Sequence, residues 1–312
     1  MRACVAVTGG LGFIGRATVR ALGEHPVLVI DDGSTASSGG PLGVQVKVAR
    51  LDVRDPALPS LLREHRVERI IHLAARAAVT PYGPEAVEAE GVNVGGTLAV
   101  LEACRLAGVG RFVLASSAAV YGRWERLPIA EDVPLVPTSA YGASKVAAEA
   151  YAHAYGSAIG LEVVVCRPAT VYGPGQTPRL EGAACSLFTA ALVAGQAGTI
   201  LGDGGQSRDL VFVNDVGEAF ARAALTGRPG TYNVGTGRAT SILDLYHQIA
   251  RIAGADVPPR FAAPRPGDIR HSVLDAAQAQ QGLDWVARTG LEEGLARTVD
   301  WMRDARGGES DR

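Results

Sequence analysis

The chain has 312 residues, of which 47% are hydrophobic and 20% charged, and a formal net charge of −2. This is the composition of a globular chain long enough to bury a substantial core, not of a disordered one. With no basic stripe interleaved with aromatics, neither nucleic acid nor an anionic membrane is expected as a partner. In chain order, "CVAVTG" (4–9), "VLVIDD" (27–32), "VQVKVARLD" (44–52), "RIIHLAA" (69–75), "RFVLASS" (111–117) and "LEVVVCRPA" (161–169) read as buried strands. Amphipathic stretches such as "FIGRATVRALGEH" and "GTLAVLEACRLAG" lie between most of them, the second ending in a glycine stop. Near-continuous Val/Ile strands alternating with helices are the pattern of an α/β fold on a doubly wound parallel sheet.

Beyond residue 170 the pattern changes to Gly/Pro-punctuated loops between separate helices. "VYGPGQTPRLEGAAC", "LGDGGQSRD" and "APRPGD" read as loops, and the tail "RGGESDR" as frayed. The expected division is a first domain over 1–170, with a segment near 209–235 returning to it, and a smaller α/β lobe over 171–312. Cys4, Cys104, Cys166 and Cys185 form no CxxC and stand near no histidine at ligand spacing. They read as reduced thiols of a cytoplasmic protein, and no metal site is expected. No apolar run approaches the roughly 18 residues of a membrane span, and "MRACVAVTGG" enters a strand with no signal-peptide pattern.

"VAVTGGLGFIG" places Gly9, Gly12 and Gly15 between the first strand and the first helix. There a backbone can turn tightly, approach a pyrophosphate and present helix N–H groups to it. Asp31 ends the second strand, where a carboxylate suits the ribose hydroxyls of NAD and repels the 2′-phosphate of NADP. Farther on, "SAYGASK" sets Tyr141 and Lys145 about one helical turn apart. An ammonium beside a phenol favours the phenolate and makes a usable acid/base. Tyr151 and Tyr155 repeat that spacing with no cation between them, so spacing alone leaves the pair open between helix surface and chemistry.

Taken together, these pieces resemble the extended short-chain dehydrogenase/reductase family, in its nucleotide-sugar epimerase/dehydratase branch, nearly end to end. The resemblance implies a Rossmann sheet and NAD as cofactor. "TGGLGFIG" looks like the cofactor turn, through Gly9, Gly12, Phe13, Ile14 and Gly15. "DDGS" (Asp31, Asp32, Gly33, Ser34) looks like its ribose end and "LDVRD" (Asp52, Val53) like the segment that meets adenine. "HLAA" (Leu73, Ala74, Ala75) and Asn93 of "VNVGGT" match further contacts, which Ser116 and Pro168 complete. "SSAAVYG" followed by "YGASK" resembles the catalytic set, which implies Ser117, Tyr141 and Lys145; Tyr141 and Lys145 then also touch the cofactor. Ser116 remains the second choice for the hydroxyl, since strand alternation aims it at the opposite face.

For the substrate, a nucleotide-diphosphate sugar of UDP type, the resemblance implies Arg208 of "GDGGQSRD" and Arg265 and Asp268 of "RPGD" around the diphosphate. Val79, Ser117, Ala118, Ala119, Tyr141 and Thr170 would surround the sugar. Dehydratases of the branch carry an acidic pair after the catalytic hydroxyl, and methyl groups at Ala118 and Ala119 cannot transfer protons. That leaves reversible oxidation at one carbon, either 4-epimerisation through a transient 4-keto sugar or simple keto-reduction, of which the resemblance implies NAD-dependent 4-epimerisation of the UDP-glucose/galactose type. Thr170 stands where epimerases acting on UDP-glucuronate also place threonine, which keeps that substrate open. Two rival readings stay open: a nucleotide-sugar 4-ketoreductase, consuming reduced cofactor, and a non-enzymatic NAD-binding regulator. The family implies a homodimer through a two-helix seam.

Overall fold

The apolar runs become strands β1 (Cys4–Thr8), β2 (Val27–Asp31), β3 (Val46–Arg50), β4 (Val67–His72), β5 (Arg111–Ala115) and β6 (Glu162–Pro168). Between them lie α1 (Phe13–Ala21), α2 (Leu58–Glu64), α3 (Pro84–Glu90), α4 (Gly96–Ala107) and α5 (Ala140–Ile159). Shorter elements follow: β7 (Thr170–Tyr172), α6 (Ala184–Val193), β8 (Thr199–Leu201), β9 (Ser207–Phe212), α7 (Val213–Leu225) and β10 (Gly230–Val234). After these come β11 (Ala239–Ser241), α8 (Ile242–Ala253), β12 (Arg260–Ala262), β13 (His271–Ser272), α9 (Ala277–Leu283) and α10 (Leu291–Ser310). This computed structural model describes residues 2–37, 42–43, 45–76, 83–177, 184–265 and 267–310, the last four as backbone only.

Seven strands pair in parallel in the order β10-β6-β5-β4-β1-β2-β3. The order reverses between β1 and β4, which opens a crevice at the carboxyl ends of those strands. Alternate residues of the inner strands feed two cores. Val5, Val29 and Val113 pack with Val19 of α1 and Val216 and Phe220 of α7. Ala6, Ile70 and Phe112 pack on the other face with Leu62 of α2, Leu101 of α4 and Ala148 of α5. Burial on both faces is the reason these strands read as continuous apolar runs. A separate core of Phe188, Phe212, Tyr246 and Val299 lies under α6, α8 and α10.

Three readings of the sequence need correction. The run 44–52 is not a buried strand, because β3 is the sheet edge and pairs with β2 alone; Val48 stays 47% exposed. The loop-like second half contains short strands: β9 pairs with β11, β13 and β7, and β8 with β12. The helical backbone of α10 continues to Ser310, into the segment read as frayed. Among the described residues no helix is long and apolar enough to cross a membrane.

Helices α1 and α7 cover the β1 side of the sheet and touch at their backbones. A Cβ on Gly217 of α7 would lie 2.6 Å from the carbonyl carbon of Ala17. Helix propensity favours Ala over Gly by about 0.5–1 kcal/mol, but overpacking against an immovable backbone costs about 1–3 kcal/mol. The clash therefore wins, and Gly217→Ala is expected to lower the urea midpoint. A raised midpoint would show that the two helices separate freely.

Candidate active site

Between β1 and α1 the chain turns through Gly9 at φ +67°, where a Cβ would fall 2.8 Å from the Ala74 backbone nitrogen. At Gly15 a Cβ would sit 2.1 Å from the Gly9 carbonyl oxygen. These two glycines let the turn close against the β4 exit. Gly12 differs: its Cβ position meets only the Gly9 oxygen, at 3.2 Å, and as N-cap of α1 it supplies no side-chain hydrogen bond. The first N–H groups of α1, including those of Phe13 and Ile14, thus border an open cradle suited to an anion.

Asp31 is buried at the end of β2 and is aimed by that same turn. Its carboxylate accepts from the Leu11 N–H at 2.9 Å and the Gly33 N–H at 2.8 Å. Asp32 accepts from the Ser34 N–H and hydroxyl, at 2.9 and 2.7 Å. Asp52 is forked by Arg54 at 2.9 and 2.6 Å, which holds its carboxyl below the usual range, and Val53 is buried under Gly96. The Leu73 and Ala74 N–H groups bond to Thr8, and Ala75 follows, half-buried. Asn93, in a single π-helical turn, accepts from the Arg76 N–H and donates to the Arg76 carbonyl and the Ser144 hydroxyl. An open glycine cradle with a buried, pre-aimed carboxylate beyond it fits a dinucleotide; among the described residues no cluster fits a metal.

Ser139 caps α5 by accepting from the Gly142 N–H at 3.0 Å. A Cβ at Gly142 would lie 2.5 Å from the Ala119 carbonyl oxygen, so only glycine lets the first turn of α5 sit on the turn Ala118–Val120. Tyr141 and Ser117 flank that contact, both half-buried. Lys145 is buried, donates to the Ala115 carbonyl at 2.9 Å, and holds its ammonium 5.7 Å from the Tyr141 ring centroid. Burial lowers its pKa to about 8, with Glu149 acting in the opposite direction, so the cation is not permanent. His72, bonded to Thr8 and Thr97 at 2.7 and 3.1 Å, is driven to a pKa of about 3 by burial and then by Lys145, and stays neutral.

The two serines diverge as alternation requires. The Ser116 hydroxyl is buried and donates to Glu149, whereas Ser117 caps the 118–120 turn, its Oγ accepting from the Ala119 N–H at 3.2 Å. Pro168 is buried at the end of β6. On the second lobe, Arg208 donates to the Ser207 carbonyl at 2.9 Å and to Asp268 at 2.8 Å. The Asp268 N–H donates to the Arg265 carbonyl at 3.2 Å, so Asp268 links Arg208 to Arg265, which is exposed. Thr170 pairs with Leu210 and joins the same small sheet. Val79 lies outside the described residues.

Sequence reading missed Asp209, Glu149 and Arg167. Asp209 is buried and accepts from Thr236 N–H and hydroxyl (2.9 and 2.6 Å), Gly237 N–H (3.0 Å) and Leu274 N–H (3.3 Å); burial raises its pKa. It pins the 235–237 and 274 segments to the strand that carries Arg208. Arg167 was visible as a charge inside an apolar strand, which demands a buried partner.

Residues 5–235 match the profile of the NAD dependent epimerase/dehydratase family. The chain is 40% identical over 306 residues to the UDP-glucose 4-epimerase of Mycolicibacterium smegmatis, covering 96% of this chain and 98% of that one. Among solved structures, Thermotoga maritima UDP-glucose 4-epimerase with UDP-glucose superposes at a TM-score of 0.91. It is 33% identical and covers 97% of this chain and 99% of its own. UDP-glucuronic acid 4-epimerase of Bacillus cereus, solved with UDP-glucuronic acid and NAD, gives 0.88 at 27% identity over 97% and 99% of the two chains. With the glycine cradle and the aimed Asp31 beside that match, the chain belongs to the NAD dependent epimerase/dehydratase family.

Proposed function

We propose that this chain is an NAD-dependent 4-epimerase of UDP-sugars of the glucose/galactose type. The observation that carries this reading is the contact between the Ala118–Val120 turn and the first turn of α5. It sets the backbone beside Ser117 against the backbone beside Tyr141, with the buried Lys145 ammonium one turn on, and this supports a hydroxyl–phenol–ammonium set with methyl groups where elimination of water would need carboxylates. The α1 cradle, Asp31 and Lys145 would hold the cofactor. When bound, NAD supplies the reversible oxidation at C4 of the sugar.

Tyr141 takes the proton from the 4-hydroxyl and later returns one, with the Ser117 hydroxyl hydrogen-bonded to the same oxygen. Lys145, while protonated, favours the phenolate form of Tyr141. Arg208 and Arg265 hold the diphosphate, where a guanidinium fork fits phosphate oxygens; Asp268 orients Arg208. The small side chains of Ala118 and Ala119 leave the sugar room to present either face. A second reading, a UDP-hexuronate as substrate, is supported by the likeness to the UDP-glucuronic acid 4-epimerase of Bacillus cereus; Thr170 is compatible with both, because its hydroxyl suits a C6 oxygen of either sugar.

The reading extends to a cytoplasmic homodimer. The four cysteines are free, and burial holds Cys104, Cys166 and Cys185 near a pKa of about 12, which suits a reducing compartment. Val87 of α3 (72% exposed), Leu106 of α4 (45%) and Tyr151 of α5 (41%) leave apolar surface on the side away from the cradle helix, as a helical dimer seam requires.

The purified protein is to be incubated with UDP-glucose, UDP-glucuronate and their C4 epimers without added NAD. Conversion of the glucose pair is expected, and Tyr141→Phe should fold normally yet lose at least about a hundredfold in turnover. Conversion of the hexuronate pair alone would favour the second reading, and near-normal activity of Tyr141→Phe would remove the proposed acid/base.

Lys145 also makes stability depend on pH. Its pKa is about 8 when folded and 10.5 when unfolded, so the unfolded chain binds the extra proton across that window. The Lys145 contribution therefore rises with pH above 8 and is lost as pH falls through it. Urea unfolding of the cofactor-free protein should show the wild type gaining on Lys145→Met between about pH 7.5 and about pH 9.5. A constant difference would mean that the ammonium is solvated.

A further inference from the structure

Behind the Ser117–Tyr141–Lys145 set lies a buried ion pair that the mechanism above does not use. Glu149 sits one helical turn beyond Lys145 on α5, and Arg167 projects from β6; they are 3% and 5% exposed. Arg167 forks onto the carboxylate, Nε to Oε1 at 2.9 Å and Nη2 to Oε2 at 2.6 Å. The Ser116 hydroxyl donates to the same Oε1, and the Ser116 N–H donates to the Cys166 carbonyl at 2.8 Å. The remaining Arg167 nitrogen, Nη1, donates to the Tyr121 hydroxyl at 2.9 Å and the Glu131 carbonyl at 3.1 Å. Tyr121 in turn donates to Asn233 of β10 at 2.6 Å.

Stability is a poor reason for such a pair, because apolar residues of similar volume often hold a core as well or better. Its location is more telling. The carboxylate is carried by the helix that carries Tyr141 and Lys145, and it grips the residue immediately before Ser117. We infer that Glu149 is a positioning residue for the epimerase reaction, fixing Ser117 relative to Tyr141 through its hydrogen bond to Ser116 while Arg167 holds the carboxylate still. This rests on the role proposed for Ser117. Consecutive residues of an extended segment point to opposite sides, and Ser117 is extended, at φ −163° and ψ 154°. Pinning Ser116 to Glu149 therefore fixes the direction in which Ser117 leaves the strand. The Ala118–Val120 turn, which packs against Gly142, follows from the same residue and inherits that setting.

Three variants separate this role from a structural one. Ser116→Ala removes the hydroxyl that Glu149 holds and leaves the ion pair in place. Glu149→Met with Arg167→Met replaces the ion pair by apolar volume. Glu149→Gln with Arg167→Met restores an acceptor for the Ser116 hydroxyl without a charge. For each, kcat and KM on UDP-glucose, affinity for UDP and the melting temperature are to be measured beside the wild type. Ser116→Ala and the double Met variant should lose about thirtyfold in kcat with KM and UDP affinity near wild type, and the Gln variant should recover about tenfold, on the scale expected for a misplaced reacting group.

Wild-type kcat in Ser116→Ala, or a Gln variant no better than the double Met variant, would overturn the inference. If the double Met variant does not fold, Ser116→Ala decides alone. UDP-glucose left unconverted by the wild type would overturn the proposed function as well, whereas an active wild type matched by its variants would overturn this inference only.

Discussion

The hydrogen bond from the Lys145 ammonium to the Ala115 carbonyl, 2.9 Å long, joins helix α5 to the carboxyl end of β5, and the rest of the site is arranged around it. A lysine on a helix can reach a strand carbonyl beneath it only if the helix lies close to the sheet. Gly142 permits that approach by leaving the Ala119 carbonyl where a Cβ would stand. The ammonium is then buried, and burial draws its pKa down to about 8, into the range where a change of charge affects a neighbouring phenol. The doubly wound order brings this end of β5 to the crevice beside β1 and β4, where the glycine turn opens its cradle. The glycine cradle and the Tyr141–Lys145 pair proposed as acid/base therefore share the carboxyl end of one sheet.

The inner strands were legible because burial on both faces demands apolar residues at every position. β3 misleads for the same reason: its run is apolar enough for a strand, but nothing in it announces a sheet edge. The three-residue strands β8 and β12 left no signal, since so short a strand has no period and exists only through a remote partner. At the site, the glycine turn, Asp31 and the Tyr141–Lys145 spacing could be read because each is local in the chain. The partners of Glu149, Arg167 and Asp209 could not, even though Arg167 stands out as a charge in an apolar strand, because they are set by packing between elements far apart in sequence. Strand alternation predicts different settings for the two serines, and in the structure Ser116 bonds Glu149 whereas Ser117 accepts from the Ala119 N–H.

An epimerase must grip one part of its substrate and release another. The grip proposed here is already organised: Arg208 is oriented by Asp268 and by its own strand, and Asp209, the next residue, clamps the neighbouring segments from the opposite face. The looseness would come from Ala118 and Ala119, which offer the sugar neither bulk nor an ionisable group.

Reaction in deuterated water, read by NMR of the UDP-sugar product, tests the proposed chemistry most directly. Simple oxidation and reduction at C4 keeps the original hydrogen on the sugar, so the epimerised product should carry no solvent deuterium at C4 or C5. Deuterium at C5, or a 4-keto-6-deoxy product, would mean that a group in this site moves protons at carbon, and would contradict a 4-epimerase built around Ser117, Tyr141 and two alanines.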